Sequence, residues 1–129
     1  MTIAALLLTA VLFGGMTFFS FGFASVLFAQ LPEAQARPLL RGTFPHYYLA
    51  VIALAAVSTL AAAFVSVPAA ILLGSIAVTT VYARQVLMGR VNAATDAGDA
   101  RAFKLRHGGS VLLQLVQIGL AGWALALVA

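Results

Sequence analysis

The chain has 129 residues, 64% of them hydrophobic and only 8% charged, with a net charge of +4; a water-soluble domain carries about a quarter of its residues as charges. That composition excludes an ordinary soluble fold, and the basic residues flank apolar runs instead of forming the stripe that nucleic acid requires. With no cysteine, disulfides, thiolate metal sites and iron–sulfur ligation are excluded, leaving imidazole, carboxylate, thioether and backbone oxygen as ligands.

Residues 1–32 carry no charge, and the stretch predicts a first helix over 3–28. At about 1.5 Å per residue it is long enough to cross a hydrocarbon core of ~30 Å. A cleaved signal peptide would have a basic start and an apolar run of about 7–15 residues, and this stretch has neither. A basic connection over 30–43 follows. Gly42–Ala83 is again uncharged, too long for one crossing and interrupted by Ser66-Val67-Pro68. It predicts two helices, 44–64 and 68–88, each with a proline in its opening turn, where the missing N–H is harmless. The turn between them is so short that they must be antiparallel neighbours. After a second basic connection over 89–106, the last helix is expected over 107–128. Asp99–Arg106 is a candidate extension of that helix, with Asp99 as its N-cap and Gly108-Gly109 as a candidate bend.

The expected fold is therefore all-α: a single antiparallel bundle of four transmembrane helices over 1–129. All ten charged side chains lie between Glu33 and Arg41 or between Arg84 and Arg106. By the positive-inside rule both basic connections are cytoplasmic, and both termini lie on the other side, as in a multi-pass protein of a bacterial inner membrane. The basic connections would rest on anionic headgroups. Phe44, Tyr47, Tyr48 and Tyr82 are expected as an inner aromatic belt, with Trp123 near the outer interface. The remaining phenylalanines are assigned to lipid contact or gap filling. Each half is a hairpin with a basic connection and a histidine opening its returning helix, a weak parallel repeat.

Helices in lipid gain little by hiding apolar surface from one another, so close approach through small residues must supply much of their association. Gly14, Gly15, Gly22, Ala53, Ala56, Gly74, Gly119 and Gly122 are suited to this, within the bundle, between copies or in a larger membrane complex. On the last helix His107, Ser110, Gln114 and Gln117 share one face, so their donors and acceptors should point inward, either to bond neighbouring helices or to hold a ligand. His46 and His107 open the second and fourth helices at comparable depth and are candidate haem or metal ligands. Arg84 precedes Val86-Leu87-Met88 and either snorkels or turns inward to Glu33, Asp96, Asp99 or an anionic substrate. A nucleophile–base pair, a HExxH helix and a glycine-rich phosphate loop are absent from the sequence, so no catalytic residues are assigned and a non-enzymatic role is expected.

Four segments carry a likeness: Phe44-Pro45-His46-Tyr47-Tyr48, Ala83-Arg84, Arg90-Val91-Asn92, and Phe103 followed by His107-Gly108-Gly109-Ser110. In these the chain resembles the bacterial branch of the transmembrane protein 205-like family, a four-helix membrane domain of unknown function. In that family an asparagine commonly follows the histidine–serine pair, where this chain has Gln114, and Tyr82 replaces an asparagine expected before Ala83-Arg84. The resemblance implies the fold and orientation above. It also implies a link to metal-drug resistance and to copper- and haem-pathway membrane proteins that use membrane-embedded histidines. Two functions are expected from all this: association, as an oligomer or accessory subunit, or a haem-, metal- or small-ligand-binding or transport protein with its site at the cytoplasmic end.

Overall fold

The computed structural model describes residues 2–129; of the single domain expected over 1–129, only Met1 lies outside the described residues. The described residues form four long helices and no strand: α1 (Thr2–Gln30), α2 (Glu33–Ala62), α3 (Val67–Asp96) and α4 (Ala100–Val128). Each is long and apolar enough to cross a membrane. The helices outrun the apolar spans. α2 begins at Glu33, because Pro32 supplies carbonyl bonds of 2.9 Å to the amides of Gln35 and Ala36, and Glu33 pairs with Arg37 one turn on. α4 begins at Ala100, where Asp99 caps it by accepting from the Ala102 amide at 3.1 Å, and it runs through Gly108-Gly109 without a break.

Short links force the antiparallel order. Leu31 is extended before Pro32, as the proline ring requires. Residues 63–66 turn α2 into α3, where the Ser66 hydroxyl accepts from the Ala69 amide and Pro68 sits in the first turn. α3 ends in a Schellman turn: Gly98 adopts φ 67°, the Gly98 amide bonds the Thr95 carbonyl, and the Asp99 amide bonds the Ala94 carbonyl. Packing then closes the ring, with each helix touching its chain neighbour and α4 returning to α1.

The two ends of the bundle are built differently. Toward the 63–66 turn, each helix contributes one inward line at alternating three- and four-residue spacing, such as Ala5, Thr9, Leu12 and Met16 on α1 or Gln117, Ala121, Ala124 and Val128 on α4. Seven of the thirteen residues in that core cluster are alanines, so the backbones approach closely. The outward faces are apolar too, with Leu60, Phe64, Ile71, Val78 and Trp123 all exposed. Water would not tolerate such a surface, whereas lipid would. At the other, basic end a smaller cluster of Leu27, Ala36 and Leu40 joins α1 to α2. There Ala24–Gln30 packs on α2 and Met88–Asp96 packs on α4, so the bundle continues as two hairpins.

A wide π turn interrupts the first helix of each hairpin where this change occurs. It spans Phe18–Phe23 in α1 and Ala83–Leu87 in α3, with the amides of Ala24 and Met88 bonding the carbonyls of Phe19 and Ala83, five residues back. Such turns are rare and favour functional sites.

Two substitutions test this account. Gly98→Ala should cost about 1 kcal/mol, because an L side chain is strained at that φ, and Gly98→Asn should cost less. Ser58 is fully buried, and its hydroxyl has no partner among the described residues. Ser58→Ala should therefore be neutral or stabilising by up to about 1 kcal/mol. Thermal unfolding in a mild detergent reads both; a cost above that of Gly98→Ala for Ser58→Ala would show that the hydroxyl is bonded.

Candidate functional site

A cleft of about 610 Å³ separates the two hairpins at the basic end, within the size range of small-molecule sites. On one side α1 contributes Ser20, Phe21, Ala24 and Phe28, while α2 contributes Arg37, Arg41 and Phe44. On the other, α3 supplies Val91, Asn92 and Thr95, and α4 supplies Phe103, His107, Val111, Gln114 and Leu115. The helical spacing explains this division of α1. Phe23 and Leu27 turn toward α2, Ser20, Ala24 and Phe28 face the cleft, and Phe19 packs on the α2 side while also lining the cleft.

The polar stripe of α4 bonds outward to three helices. Ser110 lies 3.4 Å from the Tyr48 hydroxyl of α2. The Gln114 amide donates to the Ser20 hydroxyl of α1 and, at 3.4 Å, to the Tyr47 hydroxyl of α2. The Gln117 amide, 4% exposed, donates to the hydroxyls of Thr79 and Thr80 on α3 at 2.8 and 3.0 Å. Gln114 is at the foot of the cleft, and Gln117 lies below it in the closed part of the bundle. These contacts satisfy donors that lipid could not.

The cleft takes in His107 but not His46. His107 is exposed and stacked on Phe103 with ring centroids 5.1 Å apart, while His46 is exposed and is not among the cleft residues. Among the described residues, no group of three or more histidines and carboxylates could hold a metal.

Arg84 is half-buried in the π turn of α3 and meets none of the acids expected for it. Its Nε donates to the Pro45 carbonyl at 3.3 Å, which fastens α3 to α2, and its Nη1 donates to the neighbouring Gln85 side chain at 3.1 Å. The acid Asp96 pairs with Arg41 instead, through two bonds of 2.7 and 2.9 Å. This pair reaches from α2 to α3 and ties the two hairpins across the cleft.

The aromatic residues depart most from expectation. Tyr48 is buried and Tyr47 is half-buried, so neither is an interfacial anchor. They join a ladder inside the bundle: Phe19 stacks on Tyr47 at 3.9 Å, and Phe44 meets Phe19 edge-on at 5.3 Å. Phe21, Phe28 and Phe103 are cleft walls, beyond the lipid contact or gap filling expected of them. The spacing of Phe21 and Phe28 two turns apart on one face was the available signal.

A profile for a domain of unknown function (DUF4149) matches residues 7–100, most of the chain. The chain belongs to the DUF4149 family. The DUF4149 match takes in α1 through α3, with His46, Arg84, Arg41 and Asp96; His107, Ser110, Gln114 and Gln117 of α4 lie beyond it. Nothing matches among curated proteins or solved structures. The chain thus carries a domain of unknown function over α1 to α3 and has four helices apolar enough to span a membrane.

Gln117→Leu should destabilise the fold by about 1 kcal/mol, the sum of two interhelical contacts in lipid. The same change made in a Thr79→Ala, Thr80→Ala background should cost measurably less. Equal costs in the two backgrounds, by thermal unfolding in detergent, would show that these bonds contribute nothing.

Proposed function

We propose that this is a multi-pass membrane protein, oriented with its basic hairpin ends in the cytoplasm, that binds a small amphiphilic ligand in the cleft between those ends. The observation that carries this reading is the cleft itself: apolar walls, a polar foot at Gln114 and two arginines at its mouth, which is the pattern of a ligand site. The exposed Phe21 and Phe28 of α1 and Val111 and Leu115 of α4 border its open side, where lipid would lie. A ligand would enter sideways from the bilayer. The likeness to the transmembrane protein 205-like family supports a polar site at this end, since Phe44–Tyr48 and His107–Ser110 carry it. Binding or transport needs no nucleophile.

A second reading is association with another membrane helix, as an oligomer or an accessory subunit. It draws on Gly14, Gly15 and Gly119, which are exposed with nothing within 4 Å of where a Cβ would lie. Size analysis after mild detergent extraction checks it, and a lone monomer counts against it.

Orientation is testable directly because the chain has no cysteine. Ala97→Cys should react with a membrane-impermeant maleimide only from the cytoplasmic side, and Val65→Cys only from the other; the reverse pattern would invert the topology. For the cleft, a photoreactive neutral probe, hexadecanol bearing a diazirine, is added to reconstituted vesicles. Labelling should concentrate on residues 18–28 and 103–115 and fall when Val111→Trp fills the cleft. Even labelling around all four helices, unaffected by Val111→Trp, would dismiss the ligand site.

A further inference from the structure

We propose that the ligand is an acyl amphiphile with an anionic head, a carboxylate or a phosphate, and that the head takes Arg41 over from Asp96. This rests on the cleft being a ligand site, as argued above, and adds what that site selects. Arg37 and Arg41 both line the cleft, and no carboxylate does. An anionic head at the mouth therefore meets two guanidinium groups and no repelling charge within the lining. Guanidinium presents paired donors that match a carboxylate or phosphate.

Both arginines are held loosely. Arg37 is paired with Glu33 on its own helix, with side chains 62% and 66% exposed, and Arg41 is paired with Asp96 at 43% and 63%. Ion pairs this exposed add little net stability, so exchanging one carboxylate for another is inexpensive. Released Asp96 stays in water and carries no burial penalty. Arg41 gains because its new partner is anchored by an acyl chain against Phe28, Val111 and Leu115. The walls distinguish this occupant from a free anion, which would have nothing to fill the cleft.

Exchange has a mechanical result. The Arg41–Asp96 pair joins α2 to α3 where the hairpins otherwise pack on their own partners. Occupancy releases this outermost tie, while the Arg84–Pro45 and Gln114 bonds and the alanine-rich end hold the hairpins together below it.

The test uses the full chain in phosphatidylcholine vesicles with three diazirine probes: hexadecanoic acid, phosphatidylglycerol labelled in its acyl chain, and hexadecanol. Labelling of residues 18–28 and 103–115 by at least one anionic probe should exceed that by the alcohol about tenfold, the value of one charge-assisted contact. Whichever anionic probe wins shows whether the head is a free carboxylate or a lipid phosphate. Arg41→Gln should abolish the preference, and Asp96→Asn, which frees Arg41 without removing it, should raise it. Opposite signs in these two variants separate head exchange from misfolding, which would lower labelling in both. If the alcohol labels the cleft as well as either anionic probe does, or if both variants shift the preference the same way, the anionic-head assignment is overturned while the ligand site stands. If no probe labels the cleft, the ligand site falls with it.

Discussion

Charge is confined to one end of the bundle, and the rest of the architecture follows from that confinement. A helix pair free of ionic groups can close to backbone contact wherever its side chains are small, and the 63–66 end does so through alanines supplied by all four helices. The basic end cannot close in the same way. Long arginine side chains, the aromatic ladder and the amide of Gln114 all need room there, and the two hairpins separate to provide it. A tight half and an open half are thus two outcomes of one rule, that polar groups in an apolar solvent must either find a partner or reach an interface.

The α4 stripe shows how the rule acts along a single helix. Gln117, deepest in the bundle, has both of its bonds made within the protein, to Thr79 and Thr80. Gln114, one turn nearer the basic end, bonds Ser20 and Tyr47 and still borders the cleft. His107, two turns further, is exposed and rests on Phe103. Ser110 still fastens to Tyr48, so it is at His107 that the stripe becomes cleft lining alone.

How far this could be read beforehand depends on which interactions are local. The four spans were legible because crossing length and apolar content are properties of contiguous residues, and the shared face of Ser110, Gln114 and Gln117 follows from helical spacing alone. The reach of α4 back to its Asp99 cap was legible too, but that of α2 was not, since hydropathy reports where lipid is tolerated, whereas the start at Glu33 is set by the Pro32 carbonyl. Arg41 and Asp96 are 55 residues apart, and nothing near either names the other; their meeting is set by the relative height of two hairpins. The same is true of Arg84, whose partner is a backbone carbonyl at Pro45, a group every residue possesses. Phe21, Phe28 and Phe103 look like any lipid-facing aromatic until the neighbouring helix is seen to stand away from them.

The π turns begin at Phe18 and Ala83, each sixteen residues after its helix starts at Thr2 and Val67. A widened coil advances less per residue than the regular α4 and α2 running beside it. Beyond the turn the teeth of neighbouring helices fall out of step, like two scales of a vernier with different rulings. A change of pitch is thus repeated at the same mark in both halves of the chain, just where the bundle divides into hairpins. Restoring ordinary pitch to one half alone would leave the other still out of step.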